Sequence, residues 1–117
     1  MLKILKSKIH GATVTEADLN YAGSITIDSN LMKKAGLLPN ECVLVADFNN
    51  GHRLETYVIE GKEGSGSICL NGPSAHLIPK GHKVAILAFK YLSESEISSH
   101  QPVIVIVNDK NIALDAK

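Results

Sequence analysis

A serine directly after a glycine, Gly23-Ser24 in the stretch Tyr21-Ala22-Gly23-Ser24, puts a hydroxyl one residue beyond an unhindered carbonyl. The serine oxygen can attack that carbonyl through a five-membered ring, moving the acyl group from nitrogen to oxygen. Glycine in front keeps the carbonyl open and tolerates backbone geometries closed to residues with a Cβ. The ester so formed can lose its acid by β-elimination, leaving dehydroalanine, which hydrolyses to a pyruvoyl group at a new N-terminus. In an arbitrary chain Gly-Ser is simply a turn. The pair therefore states a chemical option, and the rest of the sequence must decide whether it is used.

Other chemistries find less support. The five histidines (His10, His52, His76, His82, His100) are dispersed, with no His-x-x-x-His and no Cys/His pair at ligand spacing, so no metal site is expected. The run Gly61-Lys62-Glu63-Gly64-Ser65-Gly66 is glycine-rich but lacks the Gly-Lys-Ser/Thr ending of a phosphate-binding loop, and reads as a mobile hairpin loop. No Gly-x-Ser-x-Gly elbow is present to favour a serine hydrolase.

The elements that must position these residues are mostly strands. Val, Ile and Thr are plentiful, and β-branched side chains favour extended backbone. Leu2 to Thr15 reads as strand-like with a break at Gly11, and Ile25–Ile27 as a short strand. Asp28 offers an N-cap to a helix over Leu31–Ala35, closed by Gly36. Cys42–Ala46 and Arg53–Ile59 flank the hairpin signal Asn50-Gly51. Ser67–Leu70 and Lys83–Leu92 are further strands, with one helical turn through Ala75–Leu77 between them. Ser93–His100 is open to loop or short helix, and Val103–Val107 with Ile112–Leu114 suggests a final hairpin. Six or more short strands with one or two brief helices predict a mainly β fold, a closed or nearly closed barrel that hides its sheet edges.

The chain has 117 residues, with 12 Lys+Arg against 12 Asp+Glu. That length makes one domain, too short for a separate cofactor-binding unit. Zero net charge, with Arg53 the only arginine, argues against nucleic acid as a partner, and the scarcity of aromatics argues against a base-stacking platform. The N-terminal Met1-Leu2-Lys3-Ile4-Leu5-Lys6 lacks a signal-peptide run, and no apolar stretch approaches a membrane span. Cys42 and Cys69 lie far apart without a Cys-x-x-Cys, which fits free thiols in a reducing cytoplasm.

Three blocks in order, Lys8-Ile9-His10, Thr13-Val14-Thr15-Glu16-Ala17-Asp18-Leu19-Asn20-Tyr21 and Gly23-Ser24-Ile25-Thr26-Ile27-Asp28, closely resemble the N-terminal signature of the aspartate α-decarboxylases. Those are small pyruvoyl enzymes that make β-alanine for pantothenate. The likeness continues in Asn50-Gly51, Arg53, Thr56-Tyr57, and Asn71-Gly72 followed by small residues and His76, covering roughly residues 1–92.

The resemblance implies a double-psi β-barrel assembled as a tetramer, with sites at subunit interfaces. It implies a single domain, 1–117, cut between Gly23 and Ser24 into a β-chain of residues 1–23 and an α-chain of 24–117. Ser24 would become a pyruvoyl group that serves as cofactor, with no metal and no pyridoxal phosphate, and a maturation factor is needed only where cutting is not spontaneous. L-Aspartate would condense with that ketone as a Schiff base, and the electron pair left by carbon dioxide would delocalise into the adjacent amide carbonyl. Tyr57 matches the proton donor, and a phenol can play that part when held near the carbanion. Arg53 and Lys8 match the contacts to substrate carboxylate, and the guanidinium fork of arginine suits bidentate binding. On a regular strand Arg53 and Tyr57 share a face. Thr56 matches a residue near the scissile carbonyl that later borders substrate. An ideal strand points it away from Tyr57, so a bulge, a twist or a role in a neighbouring subunit's site is expected. Asn71 matches a group that steadies the cleavage geometry, Gly72 and Ser74 are backbone donors to substrate, and Tyr21 and His10 line the site.

Two positions depart from the family pattern. Pro73 stands in Asn71-Gly72-Pro73-Ser74-Ala75 where alanines are common, and it removes one backbone N–H. Gly11 replaces the basic residue that usually follows the histidine. Two rivals remain beside the enzyme: an uncleaved, inactive barrel of the same descent acting as a binding or interaction module, and a DNA-binding swapped barrel, against which the neutral charge counts.

Overall fold

The computed structural model describes residues 1–20 and 23–114. Eight strands and three short helices follow in the order β1 (Leu2–Thr13), β2 (Glu16–Asp18), β3 (Ser24–Asp28), α1 (Ser29–Ala35), β4 (Cys42–Asp47), β5 (Arg53–Gly61), β6 (Ile68–Asn71), α2 (Ser74–Leu77), β7 (Lys83–Leu92), α3 (Glu94–Ile97) and β8 (Val103–Ile106). The strands form one hydrogen-bonded order, β2-β6-β3-β5-β4-β7-β1-β8, wrapped about a single core and compatible with a small β-barrel. The pairing is mixed. β3 runs parallel to β5 and antiparallel to β6, so it is held on both sides by chain that comes much later in sequence.

Period-two alternation decides which face each strand buries. Ile25 and Ile27 of β3, Val43 and Val45 of β4, Val58 of β5 and Ile86 of β7 are all 1% exposed or less and meet in the core. Truncating any one of the isoleucines to alanine costs about 2–5 kcal/mol by lost transfer energy and cavity formation. Helix α1 covers one end of this core with Leu31, Met32 and Ala35. Its boundaries follow the expected chemistry. Asp28 accepts a hydrogen bond from Asn30 N at 2.8 Å, and Gly36 takes the left-handed conformation at φ 70° that ends the helix.

The break expected at Gly11 is a bulge. The β1–β7 register shifts between His10 and Ala12, and Gly11 sits there at φ 84°. A side chain is strained at such a φ, which accounts for glycine in place of a basic residue. Helix α3 occupies the segment that was open to loop or helix, and the Ser93–Glu96 capping box explains why it folds. Strand β2 was not expected as a separate element. Its three residues are exposed, and they become a strand only by pairing with β6.

Candidate active site

Ser24 opens β3 and is fully buried. The antiparallel register places it opposite Asn71 and places Thr26 opposite Cys69. By alternation these four side chains share the face of the β3–β6 pair that points away from the core. Asn71 Nδ2 donates to Ser24 Oγ at 2.8 Å and to Thr26 Oγ1 at 3.1 Å. Cys69 Sγ donates to Asn71 Oδ1 at 3.1 Å. On the other side of β6, Glu16 pairs with Cys69 and Asp18 with Asn71. Burial first, then the charges of Glu16 and Asp18, push the Cys69 thiol above its usual range.

Gly23 lies against the segment that departs from the family pattern. A Cβ built on Gly23 would stand 3.7 Å from Pro73 Cδ, an ordinary contact, so the fold leaves room there and does not by itself require glycine. Pro73 is the N-cap of α2 at φ −58°, where a missing N–H is tolerated. Gly72, at φ 67°, already gives its N–H to Asp18 O at 2.6 Å. Ser74, half-buried, is the first residue of α2.

The remaining expected residues lie on the sheet. Ser24 and Tyr57 each stand one residue before the paired Ile25 and Val58, so the parallel register sets Tyr57 beside Ser24 on adjacent strands. Arg53 and Tyr57 occupy the outer face of β5, with Tyr57 37% exposed. Thr56 alternates with them, between Leu54 and buried Val58, and pairs with core Val43. The β4–β5 register runs from Cys42↔Tyr57 to Ala46↔Arg53 without a shift, so Thr56 is turned away from Tyr57 and no bulge re-aims it. Lys8 and His10 sit on the outer face of β1, where His10 packs on Phe48 with ring centroids 5.1 Å apart. Three strands, β5, β4 and β7, separate β1 from β3. Tyr21 lies outside the described residues.

The structure thus joins Ser24, Asn71 and, by register, Tyr57, turns Thr56 to the opposite face of β5, and places Lys8 and His10 on β1. It adds two residues that the sequence reading passed over, Thr26 and Cys69. Both were accessible in principle, because positions 24 and 26, and 69 and 71, share a face wherever the chain is extended. Among the described residues, no group of three or more His, Cys, Asp and Glu is placed to hold a metal ion, and no helix is long and apolar enough to cross a membrane.

Fold and site define a small mainly β enzyme, with a buried serine hydroxyl at a strand end, braced by an amide and preceded by glycine. Comparison with known proteins gives the class its family. The aspartate decarboxylase family model matches residues 1–114. The chain is 58% identical over 111 residues to the aspartate 1-decarboxylase of Caldicellulosiruptor saccharolyticus, covering 95% of this chain and 87% of that protein. It is 54% identical to the Bacillus subtilis enzyme and 55% identical to that of Neisseria meningitidis, each over 108 residues, 92% of this chain and 85% of the relative. The chain belongs to the aspartate decarboxylase family, and aspartate decarboxylation in pantothenate synthesis is the activity this membership supports.

Proposed function

We propose that the chain cuts itself between Gly23 and Ser24 and then uses a pyruvoyl group made from Ser24 to convert L-aspartate to β-alanine and carbon dioxide. The observation that carries this reading is the 2.8 Å hydrogen bond from Asn71 to the buried Ser24 oxygen, directly after Gly23. With serine at position 24, these contacts are those of the uncut chain. Attack of Oγ on the Gly23 carbonyl forms the ester as the peptide bond between Gly23 C and Ser24 N breaks, and the hydroxyl proton passes to the departing nitrogen. The Nδ2–H of Asn71 stabilises negative charge growing on Oγ. Loss of the Cα proton and of the ester oxygen then frees Gly23 as a carboxylate. Water replaces the nitrogen of the dehydroalanine, and ammonia leaves.

The donor set fits the group that results. Among the described residues, the side chains that the β3–β6 register gathers about residue 24 are the Thr26 hydroxyl, the Asn71 amide and the Cys69 thiol, none of them an amine that would react with a ketone. Once formed, the pyruvoyl group supplies a carbonyl to hold the substrate amine and an electron sink for the pair left by the carboxylate. Tyr57, beside residue 24 on the next strand, holds a phenolic proton for the carbon that loses its carboxylate. Arg53, on the same face of β5, grips a substrate carboxylate.

The outer-face position of Lys8 and His10 on β1, three strands from β3 in the sheet order, supports a homo-oligomer in which a second copy brings these residues to the site. A tetramer is the assembly proposed, and a maturation factor is required only if the purified chain stays intact. Gly72 can serve substrate through its N–H only by releasing Asp18 O. Cys42 and Cys69 are both free thiols, which supports a reducing cytoplasm as the compartment.

The test uses aspartate labelled at the α-carboxylate together with a hydrazine-type carbonyl reagent. Labelled carbon dioxide, with the reagent attached to the N-terminus of fragment 24–117 and activity lost in proportion, is expected. Carbon dioxide release from a protein that takes up no carbonyl reagent would overturn the pyruvoyl reading.

A further inference from the structure

Asn71 reaches Ser24 with the correct end of its amide only if something holds that amide against a flip. Carboxamide oxygen and nitrogen have nearly the same shape, and a hydroxyl such as that of Thr26 suits either one, as an acceptor toward the nitrogen or as a donor toward the oxygen. The two orientations differ chemically. With nitrogen toward Ser24, the amide N–H stabilises charge developing on Oγ. With oxygen toward Ser24, the amide binds the hydroxyl proton and stabilises the form that must be lost.

We infer that Cys69 is a positioning residue for the cut at Gly23–Ser24, its S–H holding the Asn71 amide with nitrogen toward Ser24. Sγ lies 3.1 Å from Asn71 Oδ1. The other acceptor near the thiol, Glu16 Oε2, is 4.0 Å away, too far to compete for the same hydrogen. Cys69 is 8% exposed and Asn71 3%, so water does little to replace the thiol as donor. Register supports the assignment, because Cys69 and Asn71 alternate on one face of β6, opposite Thr26 and Ser24. A protonated thiol donates to the oxygen, whereas a thiolate would accept from Nδ2 and draw it away from Ser24. Burial and the neighbouring Glu16 and Asp18 keep the thiol protonated, and so keep it a donor.

This inference rests on the cutting reaction proposed above, and the test separates the two. Freshly expressed wild type, Cys69→Ser, Cys69→Val and Cys69→Ala are followed by intact mass for appearance of fragment 24–117, with thermal unfolding measured on each. Serine keeps a donor on a smaller atom, while valine fills the volume and donates nothing. Cutting should slow about tenfold in Cys69→Val and Cys69→Ala, the kinetic equivalent of one lost hydrogen bond. Cys69→Ser should cut within about threefold of wild type even where it melts lower than Cys69→Val. A purely structural role would give the reverse order, with valine cutting better than serine, and would overturn the inference. Equal cutting in all four would overturn it as well, leaving the cutting reaction intact. A wild type that never cuts would overturn both.

Discussion

Ser24 and Asp28 stand at the two ends of the same five-residue strand, both buried and both polar, and they are held in opposite ways. Asp28 is surrounded by main chain. Its carboxylate accepts from Asn30 N at 2.8 Å, Gly64 N at 3.0 Å and Gly66 N at 2.8 Å. One side chain thereby caps α1 and pins the loop that leads into β6. Ser24 accepts from a side-chain amide. Its partner Asn71 also serves Thr26 and is oriented in turn by Cys69.

The difference separates architecture from chemistry on one strand. Three backbone donors on a carboxylate satisfy a charge that is meant to stay where it is. A neutral hydroxyl braced by a neutral amide is satisfied without being neutralised, and the brace can follow the oxygen as it moves onto the Gly23 carbonyl. The Asp28 end of β3 is the anchor, and the Ser24 end carries the chemistry.

Substitutions at the two ends should therefore fail differently. Ser24→Ala is expected to abolish both cutting and decarboxylation while changing stability by less than about 1 kcal/mol, since Asn71 keeps Thr26 as a partner. Intact mass and thermal unfolding together would show this, and a large loss of stability would erase the contrast with Asp28. Tyr57→Phe should leave cutting intact and lower turnover by about 100-fold or more, the usual range for a lost proton donor. Equal turnover in the matured variant would remove Tyr57 from that role. Asp28→Ala should cost about 3 kcal/mol in chemical denaturation, because it removes a helix cap and strands three buried N–H groups. Any slowing of cutting should then track the unfolded fraction.

A smaller effect is expected at Asp47, a second anchor. Burial opposes its ionisation, but hydrogen bonds from His82 and from Asn49 N, with the charge of His82, outweigh it and hold the carboxyl below its usual range. A value lowered by folding contributes stability that is present above the unfolded value of about 3.9 and is lost as pH falls through the folded one. Asp47→Asn should be less stable than wild type by about 1–2 kcal/mol at neutral pH. The two should converge in acid. A gap that persists at low pH would assign the loss to packing.

Local chemistry carried most of the fold in the sequence. Asp28 and Gly36 bounded a helix, Asn50-Gly51 marked a hairpin, and β7 took the predicted span Lys83–Leu92. Strand β2 was hidden because Glu16, Ala17 and Asp18 are exposed and extended only through β6, which lies about 50 residues on. The site followed the same division. The order of short motifs pointed to Gly23-Ser24, Asn71, Arg53 and Tyr57. Alternation alone groups Thr26 with Ser24 and Cys69 with Asn71, but that the two groups face each other depends on the β3–β6 register, and the loan of the Gly72 N–H to Asp18 depends on β2.

The state of the bond between Gly23 and Ser24 bears most directly on all of this, and the intact mass of the purified protein reads it. Two species ending and beginning at that bond, fragments 1–23 and 24–117, with residue 24 lighter than an amino-terminal serine by the loss of its amine, are the expected result. A single species at full-chain mass, after prolonged warming and after incubation with extract of the producing cells, would contradict it.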